Sequence, residues 1–147
     1  MTISGKPLGN SAADLKASRR REAVYYLAAF LLLFLFAVQA VSSMRLKSPT
    51  CDELAHHIPV GYVLLEKGDL QMDPSQPPLA RYLAALPLKL FMNVDMPDDI
   101  EQWRREDRGE YGKDFFYVYN QEPHRMIFYS RCAFVAVGVL CGIMIFV

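Results

Sequence analysis

Two long apolar segments, separated by a polar stretch, dominate the pattern of hydrophobic and polar positions. Residues 23–41 carry no charged side chain, and residues 127–147 carry one, Arg131. About 20 helical residues cross a hydrocarbon core of about 30 Å, and only a helix satisfies its own backbone groups there. The pattern therefore predicts a mainly α-helical integral membrane protein with transmembrane helices over residues 23–43 and 126–147.

A cleaved secretory signal is the rival interpretation of the first apolar segment. The apolar stretch of such a signal is only about 7–15 residues long and ends at a site of small residues. Here the stretch is longer, and Val41-Ser42-Ser43-Met44 is a poor cleavage site. We therefore expect an uncleaved transmembrane helix.

Basic residues flank the first segment unequally. More of them precede it (Lys6, Lys16, Arg19, Arg20, Arg21) than follow it closely (Arg45, Lys47). The more basic flank of a membrane helix stays in the cytoplasm. We expect residues 1–22 to be a disordered cytoplasmic tail and residues 44–125 an exported, periplasmic loop of a multi-pass protein of the inner (plasma) membrane.

The first part of this loop has the pattern of a short helix. Thr50 and Glu53 have the spacing of a capping box, and Lys67-Gly68 is a helix stop signal. A juxtamembrane helix is predicted over about residues 51–67, with a kink or break before Pro59. Its apolar stripe consists of Leu54, Ile58, Tyr62 and Leu65.

A second juxtamembrane helix is predicted over about residues 77–91. It opens with Pro77-Pro78, because proline is tolerated in a first helical turn. Arg81 and Lys89 are expected to snorkel to water. The helix should lie along the membrane surface with an apolar side in the interface. That side consists of Leu79, Leu83, Leu86 and Leu90.

Composition and charge narrow the functional classes. The chain has 147 residues, no formal net charge and three cysteines. The loop over residues 42–125 holds fourteen acidic and ten basic residues, so it is mildly acidic. These values exclude a strongly basic nucleic-acid binder and a disulfide scaffold. The aromatic run at residues 115–119 is either a short strand or an interfacial anchor.

The acidic pair Asp52-Glu53 is the strongest candidate for chemistry. A carboxylate beside the lipid headgroups can take a proton from a hydroxyl group, or can hold a divalent cation through its oxygens. The competing interpretation is structural, because acids in a first helical turn favour the helix dipole and satisfy free amides. From the residues alone both uses remain open.

His56 and His57 follow at helical spacing from the acidic pair. With Cys51 and Asp52 they outline a metal-binding loop. Zinc needs about four ligands in a fixed arrangement, and no second ligand cluster of recognisable spacing follows. Hydrogen bonding on a helix face is the competing use of these side chains. We therefore assign no metal ligands.

Together these features resemble the membrane-embedded glycosyltransferases of the C superfamily, in the branch of protein O-mannosyltransferases and lipid A aminoarabinose transferases. The resemblance covers residues 23–147. Its matching elements are the basic N-terminus, Asp52-Glu53, Glu66-Lys67-Gly68-Asp69, Gln76-Pro77-Pro78-Leu79 and Ser130-Arg131.

The resemblance implies roles for individual residues. Asp52 would be the catalytic base that deprotonates an acceptor hydroxyl, and Glu53 would orient the acceptor or a divalent cation. The donor would be a sugar linked to polyprenyl phosphate, attacked with inversion on the exported side. Residues His56, Pro77, Pro78 and Arg81 would bind substrate.

Enzymes of that family have many more spans than this sequence contains. The sequence is therefore expected to be the N-terminal part of a longer enzyme and to be inactive by itself. The alternative is a small two-span membrane protein without catalysis. It would bind a partner through its acidic loop and the small-residue spacing of Gly138 and Gly142.

Overall fold

The computed structural model describes residues 12–69, 73–74, 77–96 and 107–146. These residues are mainly helical and include no strand. Our expectations for residues 1–11, 70–72, 75–76, 97–106 and 147 lie outside the described part. The elements are α1 (Ala12–Leu46), a first π turn (Glu53–His57), α2 (Ile58–Lys67), α3 (Pro78–Phe91), α4 (Arg108–Lys113), a second π turn (Asp114–Tyr119) and α5 (Pro123–Phe146).

Helices α1 and α5 are each long and apolar enough to cross a membrane, with mean hydropathies of 2.3 and 1.9 over their most apolar windows. Large apolar side chains of α1 are exposed all around the helix, and of its residues only Ala29 is buried. A helix that exposes apolar side chains on every face needs an apolar surrounding. The prediction of two candidate spans in a mainly helical chain is therefore confirmed.

The predicted tail differs from the structure, because residues 12–22 form the first turns of α1. Nucleation is the costly step of helix formation, and the apolar segment has already nucleated this helix. Extension towards the N-terminus then needs only good helix formers, such as Ala13, Leu15 and Lys16. The Ser18 hydroxyl also donates to Glu22 Oε1 at 3.3 Å, one turn away.

The helix predicted before Gly68 consists of the first π turn and α2. Pro59 has no backbone N–H, and its ring crowds the carbonyl one turn earlier, so the turn before it widens. The Ile58 N–H accordingly bonds to the Glu53 carbonyl. Gly68 ends α2 with a φ of 70°, a conformation that glycine adopts at low cost.

Helix α3 buries a different face from its leucine stripe. Leu79 and Leu90 are 70% and 63% exposed, whereas Ala84, Ala85 and Leu88 pack into the core. Small residues on the inner face let α3 approach α2 closely, and a Cβ at Gly61 would overlap the Arg81 carbonyl oxygen. Exposure of Leu79, Leu86 and Leu90 leaves most of the stripe available to a membrane interface.

The aromatic run is neither a strand nor wholly an exposed anchor, because it forms the second π turn. Phe115 and Phe116 are buried and join α2 and α3 in one apolar core. Tyr117 and Val118 are exposed. The segment therefore divides between the core and the surface.

The glycines of α5 provide close packing inside the chain. A Cβ at Gly138 would lie 2.9 Å from Phe36 Cζ of α1, and one at Gly142 would overlap the side chain of Leu33. The small-residue spacing thus lets another helix approach, as predicted, but that helix is α1. Because α1 occupies the face of Gly138 and Gly142, that face is not open to the partner protein of the alternative interpretation.

Candidate functional site

The site is built around Arg131, in the third turn of α5. A guanidinium group has five N–H donors, and all of them are used here. They donate to Glu53 Oε1 (2.6 Å, from Nε), Glu53 Oε2 (2.7 Å, from Nη2) and the carbonyl oxygens of Met44 (2.9 Å), Lys47 (3.0 Å) and Ser48 (3.0 Å). We call this set of contacts the Arg131 clasp. It ties the end of α1 and the start of the next helix to α5.

Glu53 is also the second member of the predicted capping box. Its Oε2 accepts from the Thr50 backbone N–H at 2.8 Å, and the Thr50 hydroxyl accepts from the Glu53 N–H at 3.2 Å. The capping box is therefore confirmed. Arg131 and Thr50 thus engage both carboxylate oxygens of Glu53, which anchors the start of the helix. Its role in orienting an acceptor stays a prediction.

Burial alone would raise the pKa of Glu53, but the hydrogen bonds and charge of Arg131 and the hydrogen bonds from Thr50 hold it below its ordinary value of 4.5. A carboxylate whose pKa is depressed by folding stabilises the fold above its unfolded pKa. That stabilisation is lost as the pH falls through the lower, folded pKa.

We therefore expect the melting temperature to fall more steeply below about pH 4.5 in the wild-type chain than in Glu53→Gln. Thermal unfolding in detergent micelles between pH 3 and 7, values chosen to bracket that pKa, measures the difference. Glu110→Gln removes an exposed carboxylate and is the matched control. Parallel curves for the wild type and Glu53→Gln would show that the clasp does not depend on the Glu53 charge.

Asp52 lies next to the clasp, at a cavity of about 340 Å³. Helix α3 forms one wall of this cavity and α5 another. The lining residues are Ala80 and Ala84 of α3, Ser130, Arg131 and Phe134 of α5, and Thr50, Asp52, Glu53, His57 and Ile58. Asp52 is exposed, and no described residue forms a hydrogen bond or ion pair with its side chain. Of the acidic pair, Asp52 is thus the carboxylate that the described residues leave without a partner.

Predicted binding residues His56 and Arg81 belong to a different cluster. Arg81 is fully buried and pairs through Nη2 with Asp73 Oδ2, and its Nη1 donates to the Asp73 carbonyl at 2.6 Å. His56 Nδ1 lies 3.2 Å and Arg108 Nη1 3.3 Å from the same Oδ2. The prediction that Arg81 snorkels to water is therefore wrong, because its guanidinium group is buried and pairs with a buried carboxylate. Pro77 and Pro78 are exposed at the start of α3.

The described residues do not suit a divalent cation at the acidic pair. A guanidinium group occupies the oxygens of Glu53, and His56 is turned to Asp73. Within the described ranges no three His, Cys, Asp or Glu side chains are grouped as metal ligands. The metal-binding loop of Cys51, Asp52, His56 and His57 is thus not assembled.

A second cavity, of about 310 Å³, lies between the end of α1 and the start of α5. Its wall includes Arg45, Lys47, His124 and Arg125, with no carboxylate among the described lining residues. The Arg45 guanidinium lies over the Phe128 ring, 5.3 Å from its centroid. Arg131 lines both cavities, so the cationic cavity and the Asp52 cavity are neighbours.

The sequence alone did not identify three residues of the site: Ser130 as part of the cavity wall, His57 as its neighbour, and Asp73 as the partner of Arg81. Among the sequence features, only the resemblance of Ser130-Arg131 to the C superfamily indicated that α5 contributes to the site. Searches for similar proteins add no assignment. No model of a known protein family, no curated protein and no solved structure matches this chain.

Proposed function

We propose that the chain supplies the catalytic base of an inverting glycosyltransferase. The enzyme moves a sugar from a polyprenyl-phosphate carrier to an acceptor hydroxyl on the exported side of the membrane. The observation that supports this most is the position of Asp52, which has no partner among the described residues and lies at a cavity beside the ends of two candidate spans. The resemblance of Asp52-Glu53 and Pro77-Pro78-Leu79 to the C superfamily supports the same assignment.

The proposed reaction is a single in-line displacement. The Asp52 carboxylate accepts the proton of the acceptor hydroxyl while that oxygen bonds to the anomeric carbon of the sugar. The bond from this carbon to the phosphate oxygen breaks, and the phosphate leaves with the electron pair. Positioning and general-base catalysis are the contributions of the protein. The Arg131 clasp keeps Glu53 engaged and so fixes the backbone that carries Asp52.

The cationic cavity suits the phosphate of the carrier lipid. Arg45 and Lys47 follow the apolar part of α1 and, with α1 as a membrane span, would lie near the lipid phosphates. A phosphate bound there needs cations that no carboxylate already pairs. Among the described lining residues Arg45 and Lys47 form no ion pair, whereas Arg125 and Arg131 each already pair with a glutamate. In this proposal the lipid phosphate and the sugar occupy neighbouring cavities on the two sides of Arg131.

Asp52→Asn is expected to abolish sugar transfer without lowering the melting temperature, because the amide keeps the shape but cannot accept the proton. General-base catalysis contributes about a hundredfold to ten-thousandfold in rate. The assay measures transfer from radiolabelled polyprenyl-phosphate sugars in membranes that contain the longer enzyme of this proposal, and not this chain alone. Glu110→Gln, an exposed carboxylate of the same loop, is the control with unchanged transfer. Equal transfer by Asp52→Asn and the wild type would refute the role of Asp52.

Membrane orientation has its own test, because Cys51 is exposed and adjacent to Asp52. In a chain carrying Cys132→Ser and Cys141→Ser, a membrane-impermeant maleimide should label Cys51 from the exported side of intact cells. Labelling only after the membrane is opened would place Asp52 in the cytoplasm. There it could not meet an exported lipid-linked sugar, and the proposal would fail.

A further inference from the structure

The wall of the Asp52 cavity contains two polar side chains whose hydrogen bonding is incomplete. Ser130 is only 2% exposed, and its hydroxyl has no hydrogen-bond partner among the described residues. His57 is half-buried, and its Nδ1 is buried and equally without a partner there. Both residues line the cavity that Asp52 lines.

Two such groups in one cavity wall need an explanation. A buried polar group without a partner costs about 1–3 kcal/mol, so most are paired in folded proteins. A serine hydroxyl in a helix commonly bonds back to a carbonyl one turn earlier, but Ser130 makes no such bond. The cost is recovered when a molecule in the cavity supplies the missing partner.

We propose that His57 and Ser130 form a pair that binds a ring hydroxyl of the transferred sugar. This inference rests on the proposed function and names two specificity residues for it. A hydroxyl group donates one hydrogen bond and accepts others, so it can donate to an unprotonated imidazole nitrogen while accepting from the serine hydroxyl. Apolar Ile58, Ala84 and Phe134 in the same wall suit the carbon face of a sugar ring.

Histidine NMR tests this pair directly, since the chain contains three histidines and their signals can be assigned by single substitutions. The ¹⁵N-histidine-labelled full chain in detergent micelles is titrated with methyl α-mannopyranoside, methyl α-glucopyranoside or N-acetylserinamide. We expect a saturable shift of the His57 signals with at least one glycoside. His56 and His124 lie outside the cavity wall and should not shift.

Ser130→Ala should abolish that shift without lowering the melting temperature, because it removes a buried hydroxyl that the described structure leaves unpaired. Ser42→Ala, an exposed serine on α1, is the matched control and should keep the shift. A shift with N-acetylserinamide alone would overturn the assignment to the sugar. Absence of any saturable shift, or an unchanged shift in Ser130→Ala, would mean that the pair binds only water and would overturn it too.

Kinetics separate this inference from the proposed function. In the transfer assay, Ser130→Ala should raise the KM for the lipid-linked sugar about three- to tenfold, as expected for one hydrogen bond, with kcat nearly unchanged. If the wild type transfers sugar and Ser130→Ala has an unchanged KM, the sugar-binding role of His57 and Ser130 is refuted. The role of Asp52 as the base is not affected by that result. If the glycosides shift His57 but no sugar is transferred, the proposed function fails and the binding pair stands.

Discussion

Arg131→Ala is expected to lower the free energy of unfolding by about 3 kcal/mol and to abolish sugar transfer. Removing one member of a buried ion pair leaves the other charge unpaired, at a cost of about 3–5 kcal/mol. The lower end applies because the Arg131 and Glu53 side chains are 15% and 22% exposed. The carbonyl groups of Met44, Lys47 and Ser48 lose their donor as well.

Denaturation in detergent micelles measures this effect, and Arg125→Ala is the matched control. Arg125 lies on the same helix and pairs with Glu122 at 2.6 Å, but it is 60% exposed. Such surface pairs contribute about 0–1 kcal/mol. If both variants lost the same stability, the clasp would be no more than a surface contact. In Arg131→Ala, the further change Glu53→Gln should recover part of the loss, because it removes the stranded charge.

Gly112→Ala is expected to destabilise the chain by about 1–3 kcal/mol or more. A Cβ at this position would overlap the Leu54 carbonyl oxygen and lie 3.0 Å from its carbon. Both are backbone atoms of the first π turn, so neither can rotate away, and overpacking of this kind costs stability. Since Leu54 follows Glu53 directly, the displacement would also reach the clasp.

Gly109→Ala is the matched control in the same helix, α4. Among the described residues, the nearest atom that its Cβ would meet is Asp107 Oδ1, at 3.6 Å. Alanine in place of an exposed helical glycine usually stabilises a protein by about 0.4–1 kcal/mol. Opposite signs for the two variants in thermal unfolding are therefore expected. Equal effects would show that helix propensity, and not the close approach to Leu54, determines the change in stability at both glycines of α4.

Local features of the fold were predictable from the sequence. The capping box of Thr50 and Glu53 depends on residues three positions apart, and the stop at Gly68 depends on one residue. Helices α1 and α5 follow from long apolar runs. The wide turn before Pro59 follows from the missing N–H of proline, although the sequence could not choose between a kink and a π turn.

The non-local part of the site was not predictable. Glu53 and Arg131 are 78 positions apart, and no local pattern pairs them. Arg81 was misjudged because a cation among leucines is typical of a snorkelling side chain, whereas its buried partner, Asp73, lies in another segment. The unsatisfied hydrogen-bonding groups of His57 and Ser130 become visible only when the surrounding atoms are placed.

The neighbouring histidines of the first π turn belong to two different polar sites, the ion pairs around Asp73 and the Asp52 cavity. His56 contacts the carboxylate of Asp73, and His57 contributes to the wall of the Asp52 cavity. Each imidazole rotates about its own side-chain bonds, so the two are linked only through the backbone of the turn that they share. By holding His56, the Asp73 carboxylate restrains the backbone from which His57 projects, and it thereby narrows the positions that the second imidazole can take at the cavity wall.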